Sequence, residues 1–141
     1  LIANTEVFLD TNILLYAALG RDHAGQRWGR AREIVLTEDY CTSGQVLAEF
    51  YNNVIRKSAQ PLTPEKAREW VRVVAMKPCQ PITTAVVLDG IALSHRYQIS
   101  YWDGAIIAAA ERLGARVIYS EHLNDGQTYG TVRVENPFRD A

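Results

Sequence analysis

The sequence predicts an α/β fold, a parallel sheet with helices over both faces, on three observations. Short apolar runs recur along the chain, among them Val7-Phe8-Leu9 and Val117-Ile118-Tyr119. Runs of that length bounded by turn residues read as buried strands. Between them lie longer stretches whose apolar residues repeat at helical spacing. The two kinds of segment alternate from one end to the other, which is the pattern of strand–helix–strand units.

Val7-Phe8-Leu9 is the first strand and ends at Asp10. Thr11-Asn12 opens a helix through Ile13, Leu14, Leu15 and Tyr16, and Leu19-Gly20-Arg21-Asp22 breaks it. Residues 23 to 37 are expected to form one further helix, with Trp28, Ala31, Ile34 and Val35 on one face. Tyr40-Cys41-Thr42 is a second strand. Ser43-Gly44 then leads into a long helix in which Val46, Leu47, Phe50, Tyr51, Val54 and Ile55 share a stripe. Thr63-Pro64 combines a hydroxyl cap with a first-turn proline, and Ala67, Trp70, Val71 and Val74 form the inner stripe that follows. Cys79-Gln80-Pro81-Ile82 is a short strand, placed at an edge because proline has no N–H to give a ladder. A helix is expected over 84 to 97. Another runs from Tyr101 to Leu113, with Ile106, Ile107, Ala110 and Leu113 inward and Gly114 ending it. Arg116-Val117-Ile118-Tyr119 and Thr131-Val132-Arg133-Val134 are the late strands. Repeats, linkers and low-complexity tracts are not seen.

A length of 141 residues fits one domain over 1–141, and a 48% hydrophobic content buries a core without disulfide or metal staples. No run of 18 apolar residues exists, and Leu1-Ile2-Ala3-Asn4-Thr5-Glu6 lacks the basic start and apolar core of a secretory signal. A cytoplasmic protein without membrane contact is therefore expected. Cys41 and Cys79 form no CxxC pair and read as buried thiols rather than a disulfide framework or a zinc site.

The net charge of −1 gives no overall attraction for nucleic acid, so the distribution of charge matters more. Arg21, Arg27, Arg30 and Arg32 cluster, offset by Asp22 and Glu33, while Lys57, Lys66, Arg68, Arg72 and Lys77 form a diluted second group. These are either solvated helix faces or a phosphate-contacting rim, for which Arg21, Arg27 and Arg30 are the candidates. His23 and His95 carry no hypothesis. Trp28, Trp70 and Trp102 fall at helical core spacing and read as packing residues rather than base-stacking platforms.

Three acids stand apart from the surface carboxylates. Asp10 lies at the carboxyl end of the first strand, the edge where open α/β sheets bind ligands, although aspartate also caps helices well. Glu49 lies inside a helix beside the apolar stripe, so capping does not explain it. A buried carboxylate is costly unless paired or metal-bound, which leaves an arginine partner or a metal. Asp103 closes a Ser-x-x-Asp capping pattern from Ser100, yet it aligns with the inward stripe of Ile106, Ile107 and Ala110. If the three met they would repel, and a hard divalent cation, Mg²⁺ or Mn²⁺, would offset that repulsion.

The chain resembles the PIN-domain family, in particular the VapC-type toxins of bacterial toxin–antitoxin pairs. The resemblance rests on Val7-Phe8-Leu9-Asp10-Thr11-Asn12, Gln45-Val46-Leu47-Ala48-Glu49-Phe50 and the stretch from Ser100-Tyr101-Trp102-Asp103 to Ala110. It rests also on the stretch from Val117 to Gly126 and on the ending Val132-Arg133-Val134-Glu135-Asn136-Pro137-Phe138. Each motif alone is weak, but their order and spacing match over nearly the whole chain. The resemblance implies a three-layer α/β/α sandwich with a five-stranded parallel sheet. It implies that Asp10, Glu49 and Asp103 bind Mg²⁺ or Mn²⁺ and hydrolyse RNA phosphodiesters. Thr11 or Asn12 would orient Asp10, with Ser120 at the site's edge. The partners it implies are an RNA substrate, an antitoxin covering the site and a homodimer.

One departure stands out. Where the family often has a fourth acid, this chain has His122, which is a neutral ligand, a supporting donor or a bystander. Glu121 and Asp125 are the two acids that could take the missing place. A catalytically weakened PIN-like module that binds RNA or protein is the alternative. A receiver-type domain is disfavoured, because Tyr119-Ser120-Glu121 has no lysine after the late strand. P-loop and dinucleotide fingerprints are missing.

Overall fold

The computed structural model describes residues 6–56 and 61–139. The first strand, β1 (Val7–Leu9), pairs in parallel with β4 (Val117–Tyr119), with Phe8 opposite Ile118. On its other side a single parallel bridge joins Phe8 to Cys41, closed by Leu9 N–H donating to Cys41 O at 3.0 Å and Cys41 N–H donating to Val7 O at 2.9 Å. Cys41 leads into β2 (Thr42–Ser43), which pairs in parallel with β3 (Cys79–Gln80), and β4 pairs in parallel with β6 (Val132–Glu135). Five parallel strands therefore run in the order β3-β2-β1-β4-β6. The bridge is so short that β2 and β3 form a two-stranded sheet beside a four-stranded one. Phe8 and Leu9 are consecutive and point to opposite faces, yet neither is exposed, so both faces of the sheet are covered.

The fourth strand of the larger sheet differs from expectation. It is β5 (Thr128–Tyr129), antiparallel to β6 and bracketed by Gly126 and Gly130 at positive φ. Two residues are too few to show alternation, so no pattern marked them. The helix expected over 23 to 37 is also corrected. It is two helices, α2 (Arg21–Ala24) and α3 (Arg27–Thr37), separated where Gly25 takes a φ of 61°. The other helices follow the pattern: α1 (Thr11–Leu19), α4 (Gly44–Val54), α5 (Pro64–Val74), α6 (Thr84–Tyr97) and α7 (Tyr101–Arg112). Thr63 caps α5 through Lys66 N–H. β3 lies at an edge but is shorter than expected, ending at Gln80 before Pro81 and Ile82.

Of the inner stripes, Val46, Phe50 and Val54 of α4, Ala67 and Val74 of α5, and Ile106, Ile107 and Ala110 of α7 are buried, while Leu47, Tyr51, Ile55, Trp70, Val71 and Leu113 are half-buried. Cys41 is a buried free thiol that desolvation pushes up to about 12, and Cys79 is free and half-buried. The tryptophans divide. Trp28 and Trp70 are half-buried, but Trp102 is 62% exposed and does not serve the core. Among the described residues no helix is long and apolar enough to cross a membrane. Lys57 and the first five residues lie outside the described residues.

Helices α6 and α7 approach through their backbones. A Cβ on Gly104 would stand 2.4 Å from the carbonyl oxygen of Gly90, and one on Gly90 would stand 3.0 Å from Ala105 Cα. This contact fixes the first turn of α7, which carries Asp103. Because a backbone atom cannot swing aside, Gly104→Ala is expected to cost about 1–3 kcal/mol. Denaturant unfolding checks this, and a variant as stable as the parent would refute the close-packing argument.

Candidate active site

Parallel pairing brings the carboxyl ends of β1, β2 and β4 to one rim. From there the chain continues into Asp10, the start of α4 and the Ser120–His122 turn. Helix α7 precedes β4 and returns its N-terminal turn to the same rim, so Asp103 arrives from the far side of the sequence. A cavity of about 160 Å³ opens there, lined by Asp10, Thr11, Asn12, Gln45, Glu49, Asn53, Trp102, Asp103, Ile106 and His122. The three acids singled out from the sequence thus share one cavity.

Asp10 is 3% exposed and fully bonded. Its Oδ1 accepts the Thr11 N–H at 2.7 Å, so it caps α1, and its Oδ2 accepts the Ser120 hydroxyl at 2.8 Å. The capping role and the cavity role therefore coexist. Ser120 is wholly buried, and its oxygen also accepts the N–H groups of His122 at 3.3 Å and Leu123 at 3.2 Å. It supports Asp10 from beside the cavity, whose lining it does not join. Thr11 turns its hydroxyl to Glu49 Oε1 at 2.8 Å and so ties two of the acids together. No arginine or lysine pairs with Glu49 among the described residues, which leaves the salt-bridge alternative unsupported. At α7, Ser100 accepts the Asp103 N–H at 3.1 Å as a cap. The Asp103 carboxylate does not complete a capping box and turns to His122 instead.

His122 is the cation of the site. Its Nε2–H donates to Asp103 Oδ1 at 2.8 Å, and its Nδ1 stands 3.1 Å from Asp10 Oδ2. The hydrogen bond to Asp10, then that to Asp103, raise the imidazolium to about 10 against the opposing effect of partial burial. A raised histidine stabilises the fold fully below its unfolded value, and that contribution fades as pH climbs through the folded one. His122 is therefore no bystander.

The other expected site residues lie elsewhere. Glu121 accepts the Tyr16 hydroxyl and pairs with Arg27, so it does not fill the place of a fourth acid. Asp125 accepts Asn136 N–H at 2.9 Å and holds Arg139 at 3.0 Å, anchoring the last loop. Of the candidate phosphate contacts, Arg27 is committed to Glu121, and Arg30 to Glu33 at 2.7 Å and Glu38 at 2.9 Å. Arg21 lies over the Trp28 ring. Gln45, Asn53 and Trp102 were not anticipated in the cavity. Gln45 and Asn53 sit one helical turn to either side of Glu49, a signal the spacing rule contains.

The donor set suits a hard cation, since three carboxylates line the cavity together with the amide side chains of Asn12 and Asn53. Among the described residues no group of three or more His, Cys, Asp or Glu side chains is arranged to hold a metal ion directly. Mg²⁺ needs only one or two carboxylates and keeps several waters, so the residues fit such an ion through mixed direct and water-mediated contacts.

The family model for the PIN domain matches residues 7–122. No curated protein matches the chain in sequence. Among solved structures it is similar to a VapC toxin of Mycobacterium tuberculosis that cleaves the sarcin–ricin loop. That match has 18% identity and a TM-score of 0.67, over 84% of this chain and 91% of that one. It is similar to a toxin–antitoxin complex from Klebsiella pneumoniae at 16% identity and a TM-score of 0.67, over 93% and 97%. A third likeness is to the DNA-bound VapBC of Salmonella typhimurium, at 20% identity and a TM-score of 0.63, over 93% and 97%. At such identities the likeness is one of fold.

Removing the Ser120 hydroxyl would strip one donor from Asp10 and leave two backbone N–H groups without their acceptor. Ser120→Ala is expected to destabilise the protein by about 1–3 kcal/mol. An unchanged unfolding midpoint and slope would show that the hydroxyl is dispensable.

Proposed function

The chain belongs to the PIN-domain family, and from that premise we propose that it is a metal-dependent endoribonuclease hydrolysing RNA phosphodiester bonds, the toxin of a toxin–antitoxin pair. The observation that carries this reading is the meeting of Asp10, Glu49 and Asp103 in one cavity at the carboxyl rim of the sheet.

Asp10, Asp103 and Glu49 would hold Mg²⁺ or Mn²⁺. When bound, such a cation polarises a phosphoryl oxygen and offsets the carboxylate charge. The rest of the work falls to the protein. Ser120 and Thr11 fix Asp10 from two sides, so its carboxylate needs no reorientation. Thr11 holds Glu49 Oε1. Glu49 Oε2, without a protein partner among the described residues, would be free to take a proton from the attacking water. Asn12, Gln45 and Asn53 supply neutral hydrogen-bonding groups along the wall, which suits a substrate whose charge is already crowded by carboxylates.

A second reading, a weakened PIN-like module that binds RNA or protein, has one observation in its favour. His122 spans Asp10 and Asp103, where the family often has another acid.

An antitoxin would find apolar surface on the helices. One groove of about 520 Å³ is lined by Leu47, Ala48, Tyr51, Pro64 and Val71 between α4 and α5. Another of about 470 Å³ lies between α3 and α5, with Leu36 and Val73 exposed at its mouth. The relatives solved as toxin–antitoxin complexes support the proposal of such a partner.

Labelled RNA incubated with the purified chain is expected to be cut with Mg²⁺ or Mn²⁺ and left intact with EDTA. Asp10→Asn, Glu49→Gln and Asp103→Asn should each lower kcat/KM more than about a hundredfold, beyond the loss usual for outer-shell changes. Metal-independent cutting that survives Asp103→Asn would refute the mechanism. His122→Asp separates the two readings. Cleavage that rises steeply in this variant supports the weakened module, whereas equal or lower cleavage supports His122 as native to a working site.

A further inference from the structure

We propose that Trp102 is a stacking platform that seats an unpaired nucleobase beside the acidic cavity and so selects unstacked RNA over duplex. The inference deepens the ribonuclease reading and rests on it. Trp102 occupies the first turn of α7, next to Asp103, and lines the same cavity as Asp10, Glu49 and His122. The residue is 62% exposed, although aromatic side chains contribute strongly when buried.

Solitary exposed apolar residues are ordinary, and Leu36, Met76 and Ile82 are exposed here too. None of those three lines the acidic cavity. The backbone of Trp102 is held, and its ring has one aromatic neighbour. Gln45 donates its amide Nε2–H to the Trp102 carbonyl at 3.1 Å, and the Tyr101 ring meets the indole edge-to-face at 5.0 Å and 71°. A supported, solvent-facing indole is the geometry on which a base can stack with little loss of side-chain freedom.

Electrostatics favour such a platform. Most affinity for nucleic acid ordinarily comes from lysine and arginine releasing counterions from phosphates. This chain carries a net charge of −1, its cavity is acidic, and Arg27 and Arg30 are committed to carboxylates. Uncharged contact can then carry part of the binding energy, and stacking supplies it without regard to base identity. A base in a duplex is already stacked on both faces and is not offered.

The test uses a short RNA in which 2-aminopurine is walked along the strand, single-stranded or annealed to its complement. It is carried out in the Asp103→Asn background so that the strand is not cut. One register of the single strand is expected to lose its fluorescence on binding. Trp102→Ala should abolish that quenching and weaken single-strand affinity about tenfold, Trp102→Phe should restore most of both, and duplex binding should change little. Equal affinity in the Ala variant, equal loss for single strand and duplex, or no rescue by phenylalanine would overturn the platform. Thermal melting shows that each variant is folded. The two claims fail separately. RNA cleaved by an otherwise native Trp102→Ala chain at unchanged kcat/KM ends this inference and leaves the nuclease reading. Trp102-dependent quenching in a chain that cleaves no RNA does the reverse.

Discussion

Carboxylates gathered in a small cavity repel one another, and the arrangement of this rim is governed by how that repulsion is offset. Two devices are visible. Neutral donors absorb part of the charge: the Ser120 hydroxyl and the Thr11 N–H on Asp10, and the Thr11 hydroxyl on Glu49. A single cation, His122, spans Asp10 and Asp103 and is held protonated well above its ordinary range by them. The fold delivers these groups without regard for their mutual energy. Parallel strands necessarily expose their carboxyl ends together, and the glycine contact between α6 and α7 sets where Asp103 arrives.

The polar support is local to the acids in space and partly local in sequence. Thr11 and Ser120 each belong to the residue pair or turn that follows a buried strand, so the same backbone that ends the strand supplies the donor. An extended residue leaving a strand leaves its N–H and side chain free for just such bonds. This is why the support is dense around Asp10, which two strand ends reach, and thin around Glu49, which a helix carries.

Much of the fold was legible because its signals are local. Strand runs, the Thr63-Pro64 start and the Gly114 stop each depend on a few neighbouring residues, and each stands within about two residues of where the pattern placed it. The breaks were harder. Gly25 interrupts a helical pattern through one backbone angle, and β5 exists only because β6 offers it a partner. At the site, Asp10, Glu49 and Asp103 were visible as carboxylates that surface logic did not explain. The roles of their neighbours were not. Glu121 and Asp125 lie within a few residues of Ser120, yet partners elsewhere in the chain, side chains and one backbone N–H, draw them away. The exposure of Trp102 was hidden because helical spacing gives a residue's angle about the axis but not whether anything covers that end of the helix.

The measurement that bears most directly on the account is anomalous diffraction from crystals soaked in Mn²⁺. The account predicts one strong peak inside the cavity, touching Asp10 and at least one of Glu49 and Asp103 directly or through water, with His122 moved off one carboxylate or bound as a ligand. No peak in the cavity at saturating Mn²⁺, with His122 still bridging Asp10 and Asp103, would contradict it.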